Sequence, residues 1–135
     1  MKFSRQYFLE LKQPSKYKVV SRWMSYHGNT IGALSMTGHF ELRKNYIPYL
    51  CNFPKVAPPY CYRCPFGKEY PKCEIECAWD FERVVKCEGP ETISAFIGEV
   101  EAGSLNGLIS APPEYFKIIR SICDKYDILL IVDEV

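Results

Sequence analysis

The fold of this chain is decided by the stretch Asp127-Ile128-Leu129-Leu130-Ile131-Val132-Asp133-Glu134-Val135. Its run of branched apolar residues, 128–132, predicts a β-strand that is buried on both faces, as in a parallel sheet. Two carboxylates, Asp133 and Glu134, follow at once. Because open α/β sheets bind ligands at the carboxyl ends of their strands, Asp133 is a candidate binding residue. The structural alternative is that Asp133 caps the element that follows.

The composition is that of a soluble globular protein. The 135 residues can form one hydrophobic core, and the net charge is +1. Acidic and basic residues are interspersed, which argues against a nucleic-acid or membrane surface. The N-terminal residues 1–7 lack the uninterrupted apolar stretch of a signal peptide. Seven cysteines without such a signal favour free thiols or a metal site in a reducing, cytoplasmic setting over disulfides.

Helix and strand signals alternate along the chain. The predicted helices cover residues 1–12, 30–37, 74–87 and 112–126, and the predicted strands cover 18–23, 92–99 and 128–132. This order predicts an α/β fold with a mainly parallel sheet, flanking helices and right-handed crossovers. A loop is predicted over 103–111. Three of the helices carry an apolar stripe, which consists of Phe3, Tyr7 and Leu11 in the first, Cys77, Phe81, Val84 and Val85 in the third, and Tyr115, Ile118, Ile119, Ile122 and Tyr126 in the fourth.

Residues 45–77 form an excursion that is rich in Cys, Pro and Tyr and has no clear period. Its two cysteine pairs, Cys61 with Cys64 and Cys73 with Cys77, have a spacing that could close on Zn²⁺ as a tetrahedral site or hold an iron–sulfur cluster. Against a metal, Cys77 falls on the apolar stripe of a predicted helix, where cysteine behaves as a small hydrophobe. We favour structural cysteines and keep a non-catalytic, cysteine-rich metal-binding or interaction module as the alternative function.

Each predicted strand ends in side chains that are capable of chemistry. Tyr26 and His27 follow the first strand, Glu99 ends the second, and Asp133 ends the third. Because the carboxyl ends of parallel strands meet at one edge, an aromatic face and two carboxylates should share one crevice. Taken singly, each residue also has a structural explanation: a packed aromatic, a turn histidine and a solvated glutamate.

The residues at these strand ends resemble class III aminotransferases, the pyridoxal-phosphate enzymes of the aspartate aminotransferase fold (fold type I). The similarity covers essentially the whole chain in the right order and spacing, and its segments are 25–35, 96–103, 120–126 and 129–135. It is most specific at Tyr26-His27-Gly28 and at Asp133-Glu134. The resemblance implies that residues 1–135 are a fragment of the large domain, which binds pyridoxal 5'-phosphate.

The resemblance also implies roles for single residues. Asp133 matches the aspartate that pairs with the pyridine nitrogen of the cofactor, and a carboxylate there favours the protonated ring. Tyr26 matches the aromatic residue that stacks on the ring, while His27 and Gly28 shape the same pocket. Glu99 matches the glutamate near the substrate and the ring hydroxyl of the cofactor.

The sequence departs from the family pattern at two positions. Val100 stands where the family usually has proline, and Ser104 stands where some members have a glutamate that engages a substrate-gating arginine. Substrates that depend on that pairing are therefore not expected. By the resemblance, the turn that binds the cofactor phosphate and the Schiff-base lysine lie outside these 135 residues. We therefore expect a truncated chain that is inactive alone.

The parent reaction implied by the resemblance is the transfer of an amino group from an amine or ω-amino acid to a keto acid. The family carries it out with pyridoxal phosphate, in a homodimer whose active site lies near the subunit interface. The donor and the acceptor cannot be chosen from these residues.

Overall fold

A four-stranded sheet is the centre of the computed structural model, which describes residues 1–103 and 107–134. The strands of the molecule are β1 (Lys18–Arg22), β2 (Lys55–Val56), β3 (Ile93–Glu99), β4 (Glu101–Ala102), β5 (Ile109–Ser110) and β6 (Leu129–Asp133). The main sheet has the order β2-β1-β3-β6, and each neighbouring pair is parallel. The predicted α/β fold with a mainly parallel sheet is confirmed.

Helices flank this sheet on both faces. They are α1 (Lys2–Glu10), α2 (Ile31–Met36), α3 (Phe40–Arg43), α4 (Glu76–Glu88) and α5 (Tyr115–Lys125). The Thr30 side chain accepts a hydrogen bond from the Ala33 backbone and so caps the start of α2. The helix α4 is followed by its C-cap residue Gly89, which has a φ of 86°, a conformation that a glycine adopts without strain.

One face of the sheet is covered by α4 and α5. The predicted stripe of α5 is confirmed, since Tyr115, Ile119 and Ile122 are fully or almost fully buried. Phe81 of α4 packs on Phe96 of β3 with their ring centroids 4.7 Å apart. Burying a side chain of this size contributes about 1.5–3 kcal/mol to folding. This face therefore holds the larger part of the core.

The opposite face is smaller and is covered by α2 and by the segment that leads into β2. Val19, Ala95 and Ile97 point to it and pack with Met36 and Phe53. Neighbouring residues of a strand alternate between the two faces, which is why Val19 lies here while Val20 lies in the larger cluster.

The strand order contains a topological switch between β1 and β3. The chain leaves β1 toward β2 on one side, whereas it leaves β3 toward β6 on the other side. Where two adjacent strands send their connections in opposite directions, a crevice opens at their carboxyl ends. The fold therefore brings Arg22 and Glu99, the last residues of these strands, together at the carboxyl edge of the sheet.

The predicted burial of the final strand on both faces is wrong. Residues 129–131 are only half-buried and Val132 is 42% exposed. Within the described residues, β6 is an edge strand that pairs with β3 alone. An apolar run indicates that a strand is suited to burial, but the number of its neighbours decides how much surface is covered.

The predicted apolar face of the first helix is also exposed. Phe3 is 80% exposed, and Tyr7 and Leu11 are open to solvent as well. The residues that α1 turns inward are Ser4 and Phe8, which are fully buried. Spacing by four residues defines a face of a helix, but it does not say which face meets the core.

Three short elements lie in segments that the sequence predicts to be irregular. Both α3 and β2 fall within or beside the excursion 45–77, and β5 falls within the predicted loop 103–111. Elements of two to four residues are too short for a period to be visible. Part of that loop, including Ser104, lies outside the described residues. None of the helices described in this structure is long and apolar enough to cross a membrane.

Candidate active site

The predicted site residues lie together at the carboxyl edge of the sheet. Glu99 and Asp133 end two neighbouring strands and are opposite each other in the register of β3 and β6. Tyr26 and His27 belong to the turn after β1, which bends over this edge and contacts both carboxylates. The turn, β3 and β6 thus converge on one crevice.

His27 is joined to Asp133 by a side-chain hydrogen bond. Nδ1 of the imidazole lies 2.8 Å from Oδ2 of the carboxylate. The imidazole is 1% exposed, whereas the Asp133 side chain keeps 19% of its surface exposed. Within the described part of the chain, Nε2 of His27 is buried and has no hydrogen-bond partner. This arrangement fixes the orientation of a carboxylate that still faces solvent.

The turn that carries His27 is held in place by Thr37, the C-cap residue of α2. The His27 backbone N–H donates to Oγ1 of Thr37 at 3.0 Å, and Thr37 is completely buried. Gly28 has a φ of 116°, and a Cβ atom at this position would lie 3.2 Å from Cβ of Ala33. Any other residue would be strained there, so the glycine is required by the turn.

Glu99 is held by groups of the chain itself. Nη2 of Arg22 donates to its Oε2 at 2.9 Å and to its backbone carbonyl at 2.8 Å. The Tyr26 backbone N–H donates to Oε1 at 2.9 Å. Glu99 is 3% exposed and Arg22 is 2% exposed, so this is a buried, charge-assisted pair. Both carboxylate oxygens of Glu99 are thus engaged, Oε1 with the turn and Oε2 with the end of β1.

Arg22 is a site residue that sequence reasoning missed. It ends β1, and its guanidinium also lies 5.8 Å from the centroid of the Tyr115 ring. From the sequence alone, an arginine at the end of a strand is expected to place its charge in solvent. The sequence signal that could have identified Arg22 is Glu99 at the end of the next predicted strand. Parallel neighbouring strands would bring these two charges together.

An open cleft borders Asp133. It has a volume of about 410 Å³, and its lining includes Val100, Gly103 and the two carboxylates Asp133 and Glu134. Val100 donates its backbone N–H to the Asp133 carbonyl at 3.3 Å. A proline at this position has no backbone N–H and could not make this bond. The Tyr26 side chain is 37% exposed in the same turn that contacts Glu99.

Four of the five cysteines of the excursion surround a different cavity. Cys61, Cys64, Cys73 and Cys77 line it, and all are free thiols. The prediction that Cys77 belongs to the apolar stripe of α4 is confirmed, and burial raises the pKa of its thiol to about 12. Across residues 1–103 and 107–134, no three His, Cys, Asp or Glu side chains are grouped so that they could hold a metal ion.

Comparison with known proteins identifies the family. A family model described as "Aminotransferase class-III" matches residues 1–135. An aminotransferase of Gibberella zeae is 41% identical over 140 residues, which is 100% of this chain and 27% of that protein.

Two solved structures have the same fold. The chain superimposes on a six-fold mutant of an omega transaminase from Pseudomonas jessenii with a TM-score of 0.90 and 38% identity, covering 99% of this chain and 30% of that one. An amine transaminase from an uncultivated Pseudomonas species, in a pyridoxal-phosphate-bound form, has a TM-score of 0.93 and 31% identity over 99% and 30% of the two chains. The chain therefore spans less than a third of these relatives and belongs to the class III aminotransferase family.

Proposed function

We propose that this chain forms the edge of a pyridoxal-phosphate site in a class III transaminase. The observation that carries the proposal is the His27–Asp133 hydrogen bond, which holds a partly exposed carboxylate at the carboxyl edge of the sheet. By the resemblance, Asp133 matches the aspartate that pairs with the pyridine nitrogen of the cofactor in this family.

The residues at this edge fit such a ring. The cleft beside Asp133 falls within the range of about 300–1,000 Å³ that is usual for small-molecule sites. Asp133 supplies a carboxylate for a cationic ring nitrogen, and Tyr26 supplies a partly exposed aromatic face that can stack on the ring. We assign the binding of the ring to Asp133, Tyr26, His27 and Gly28.

Each residue has a distinct task in the proposed site. When bound, pyridoxal phosphate supplies an electron sink for removal of the substrate α-proton. Asp133 stabilises the positive charge on the ring nitrogen by proximity. His27 holds Asp133 in one orientation, and an offset stack with Tyr26 contributes about 0.5–1.5 kcal/mol beyond burial. Glu99 acts first on the turn, through Tyr26, and we propose that it also borders the ring hydroxyl and the substrate.

The proposed substrates are an amine or ω-amino acid as donor and a keto acid as acceptor. The similar solved proteins named as omega transaminase and amine transaminase support this class of donor. We also propose that the protein acts as a homodimer, by the resemblance to its family. A cytoplasmic location is proposed from the seven cysteines, which are all free and would persist as thiols in a reducing compartment.

The proposal predicts that Asp133 contributes to cofactor binding through its charge. The chain should be titrated with pyridoxamine 5'-phosphate by calorimetry, since this form of the cofactor has no aldehyde that would react with surface lysines. Asp133→Asn should weaken binding by about tenfold, because a hydrogen bond to a charged group contributes roughly 1.5–3 kcal/mol. The matched control is Glu134→Gln, which removes one charge from the same cleft at an exposed position.

We expect the control to change the dissociation constant by less than about twofold, because Glu134 is not aligned by His27. Equal weakening by the two variants would indicate a general charge effect and would contradict the assignment to Asp133. Binding that is the same in the unmodified chain and in Asp133→Asn would overturn the proposed site.

A further inference from the structure

The four-thiol pocket, defined by Cys61, Cys64, Cys73 and Cys77, takes no part in the proposed function. These residues surround a void of about 20 Å³, close to the size of one water site. Their side chains therefore share the lining of one small cavity. None of the residues that line this pocket also lines the cleft beside Asp133. The pocket is therefore a separate chemical feature of the chain.

The thiols of this pocket differ in access to solvent. Cys61 is exposed, Cys64 and Cys73 are half-buried, and Cys77 is buried. A dissolved reagent therefore meets Cys61 first. Cys61 begins a 3₁₀-helix (Cys61–Arg63), whereas Cys73 lies in the turn that leads into α4, where its carbonyl accepts from the Glu76 backbone N–H at 3.3 Å. A bond between them would join two segments of the excursion.

The electrostatics agree with the placement of these thiols around one cavity. Burial raises the pKa of Cys61, and the charges of Cys73 and then of Cys64 raise it further. Cys73 thus acts more strongly on Cys61 than Cys64 does. The pKa of Cys77 is raised to about 12 by burial, which keeps that thiol protonated and unreactive. Cys73 lines the same cavity as Cys61 and is half-buried, and we assign it as the partner of Cys61.

A disulfide between two thiols suits the pocket better than a metal centre does. As described above for residues 1–103 and 107–134, no three ligating side chains converge in a way that could hold an ion. A disulfide needs only two neighbouring thiols, and one of them must be accessible to the oxidant. The pocket provides both.

We propose that Cys61 and Cys73 form a reversible disulfide when they react with a small-molecule disulfide such as oxidised glutathione. The Cys61 thiolate attacks one sulfur of the oxidant, which forms a mixed disulfide and releases one glutathione thiolate. The Cys73 thiolate then attacks Sγ of Cys61 and releases the second glutathione. Two protein thiols are oxidised and one glutathione disulfide is reduced to two glutathione thiolates, which take up the two protons that the cysteines lost and become thiols.

The bond is tested by mapping the intact chain after oxidation. The protein is incubated with oxidised glutathione, remaining thiols are alkylated, and a tryptic digest is analysed without reduction. Arg63, Lys68 and Lys72 lie between the two cysteines, so the digest separates their peptides unless a disulfide joins them. We expect one linked species that joins Cys61 to Cys73 and separates on reduction.

Matched variants distinguish the pocket from ordinary surface thiols. Cys61→Ser and Cys73→Ser should each abolish the linked species, whereas Cys51→Ser and Cys87→Ser should leave it unchanged, because these exposed cysteines do not line the pocket. The rate should rise about tenfold per pH unit between neutral pH and the raised pKa of Cys61, since only the thiolate reacts.

Three results would overturn the proposal. One is a stable glutathione adduct on Cys61 that does not proceed to a protein disulfide. Another is a linked species that contains Cys51 or Cys87, or that joins Cys61 to Cys64. The third is a zinc ion that co-purifies with the chain and protects the four thiols from alkylation until a chelator is added. If a serine variant fails to fold, the peptide mapping of the unmodified chain still tests for the Cys61–Cys73 disulfide.

Discussion

At the scale of single residues, the Arg22–Glu99 pair determines the shape of the site. The two side chains are 3% and 5% exposed, and the glutamate also anchors the backbone of Tyr26. A buried pair of this kind contributes less to net stability than its short distances suggest, because both charges are removed from water. Removing one partner is costly, since the other is then left buried and uncompensated.

We therefore predict that Arg22→Met lowers the free energy of unfolding by about 3–5 kcal/mol. The double variant Arg22→Met/Glu99→Gln should recover at least half of this loss, because the amide carries no charge and still accepts from the Tyr26 N–H. Urea denaturation of the three proteins measures the difference. Lys44→Met is the control, since the Lys44–Glu41 pair is exposed and should contribute only about 0–1 kcal/mol. A double variant as unstable as the single one would contradict this account.

At the scale of elements, α4 and α5 are tied together by Glu82. Its Oε1 accepts from Nζ of Lys125 at 2.7 Å and from the Tyr126 hydroxyl at 2.9 Å, and Nζ of Lys86 lies 3.3 Å from Oε2. These donors, Lys125 first, lower the pKa of Glu82 to about 2. The link is electrostatic and therefore depends on the charge of one carboxylate.

This link predicts a pH dependence of stability. An unfolded glutamate has a pKa of about 4.3, so the stabilisation by Glu82 is complete above that pH and is lost as the pH falls through about 2. Glu82→Gln should be less stable than the parent chain at about pH 6, and the difference should shrink toward about pH 2. Thermal melts over this range of pH measure the stability difference between the two proteins. Lys125→Met should likewise reduce the change in stability with pH, because it removes one partner of Glu82. A stability difference between the parent chain and Glu82→Gln that stays constant from neutral to acid pH would refute the link.

At the scale of the whole molecule, the larger core forms where α5 closes over the sheet. Ile119 is fully buried there, whereas Ile31 on α2 is 50% exposed. We predict that Ile119→Ala lowers the free energy of unfolding by about 2–5 kcal/mol, because it removes buried surface and leaves a cavity. Ile31→Ala should change it by no more than about 0.5 kcal/mol. Denaturant titrations of both variants measure this, and similar losses would show that the α5 face is not the main core.

The class of fold could be read from the sequence because its signals are local. The stripe of α5 and the apolar runs of β3 and β6 repeat with the period of their own element, and each was located within a few residues. The positions of Tyr26 and Glu99 followed from the predicted ends of β1 and β3. The two-residue strand β2 could not be read, because pairing with β1 alone defines it.

By itself, the sequence determined where the longer helices and strands form, which family the chain belongs to and which side chains stand at the ends of the predicted strands. Only the tertiary structure decided that His27 meets Asp133 across 106 residues and that Arg22 meets Glu99 across 77. It also decided that α1 turns Phe8 inward and leaves Phe3 in solvent. The physical reason is that helix and strand periods depend on neighbours along the chain, whereas strand order, burial and charge pairing depend on segments that meet only after folding.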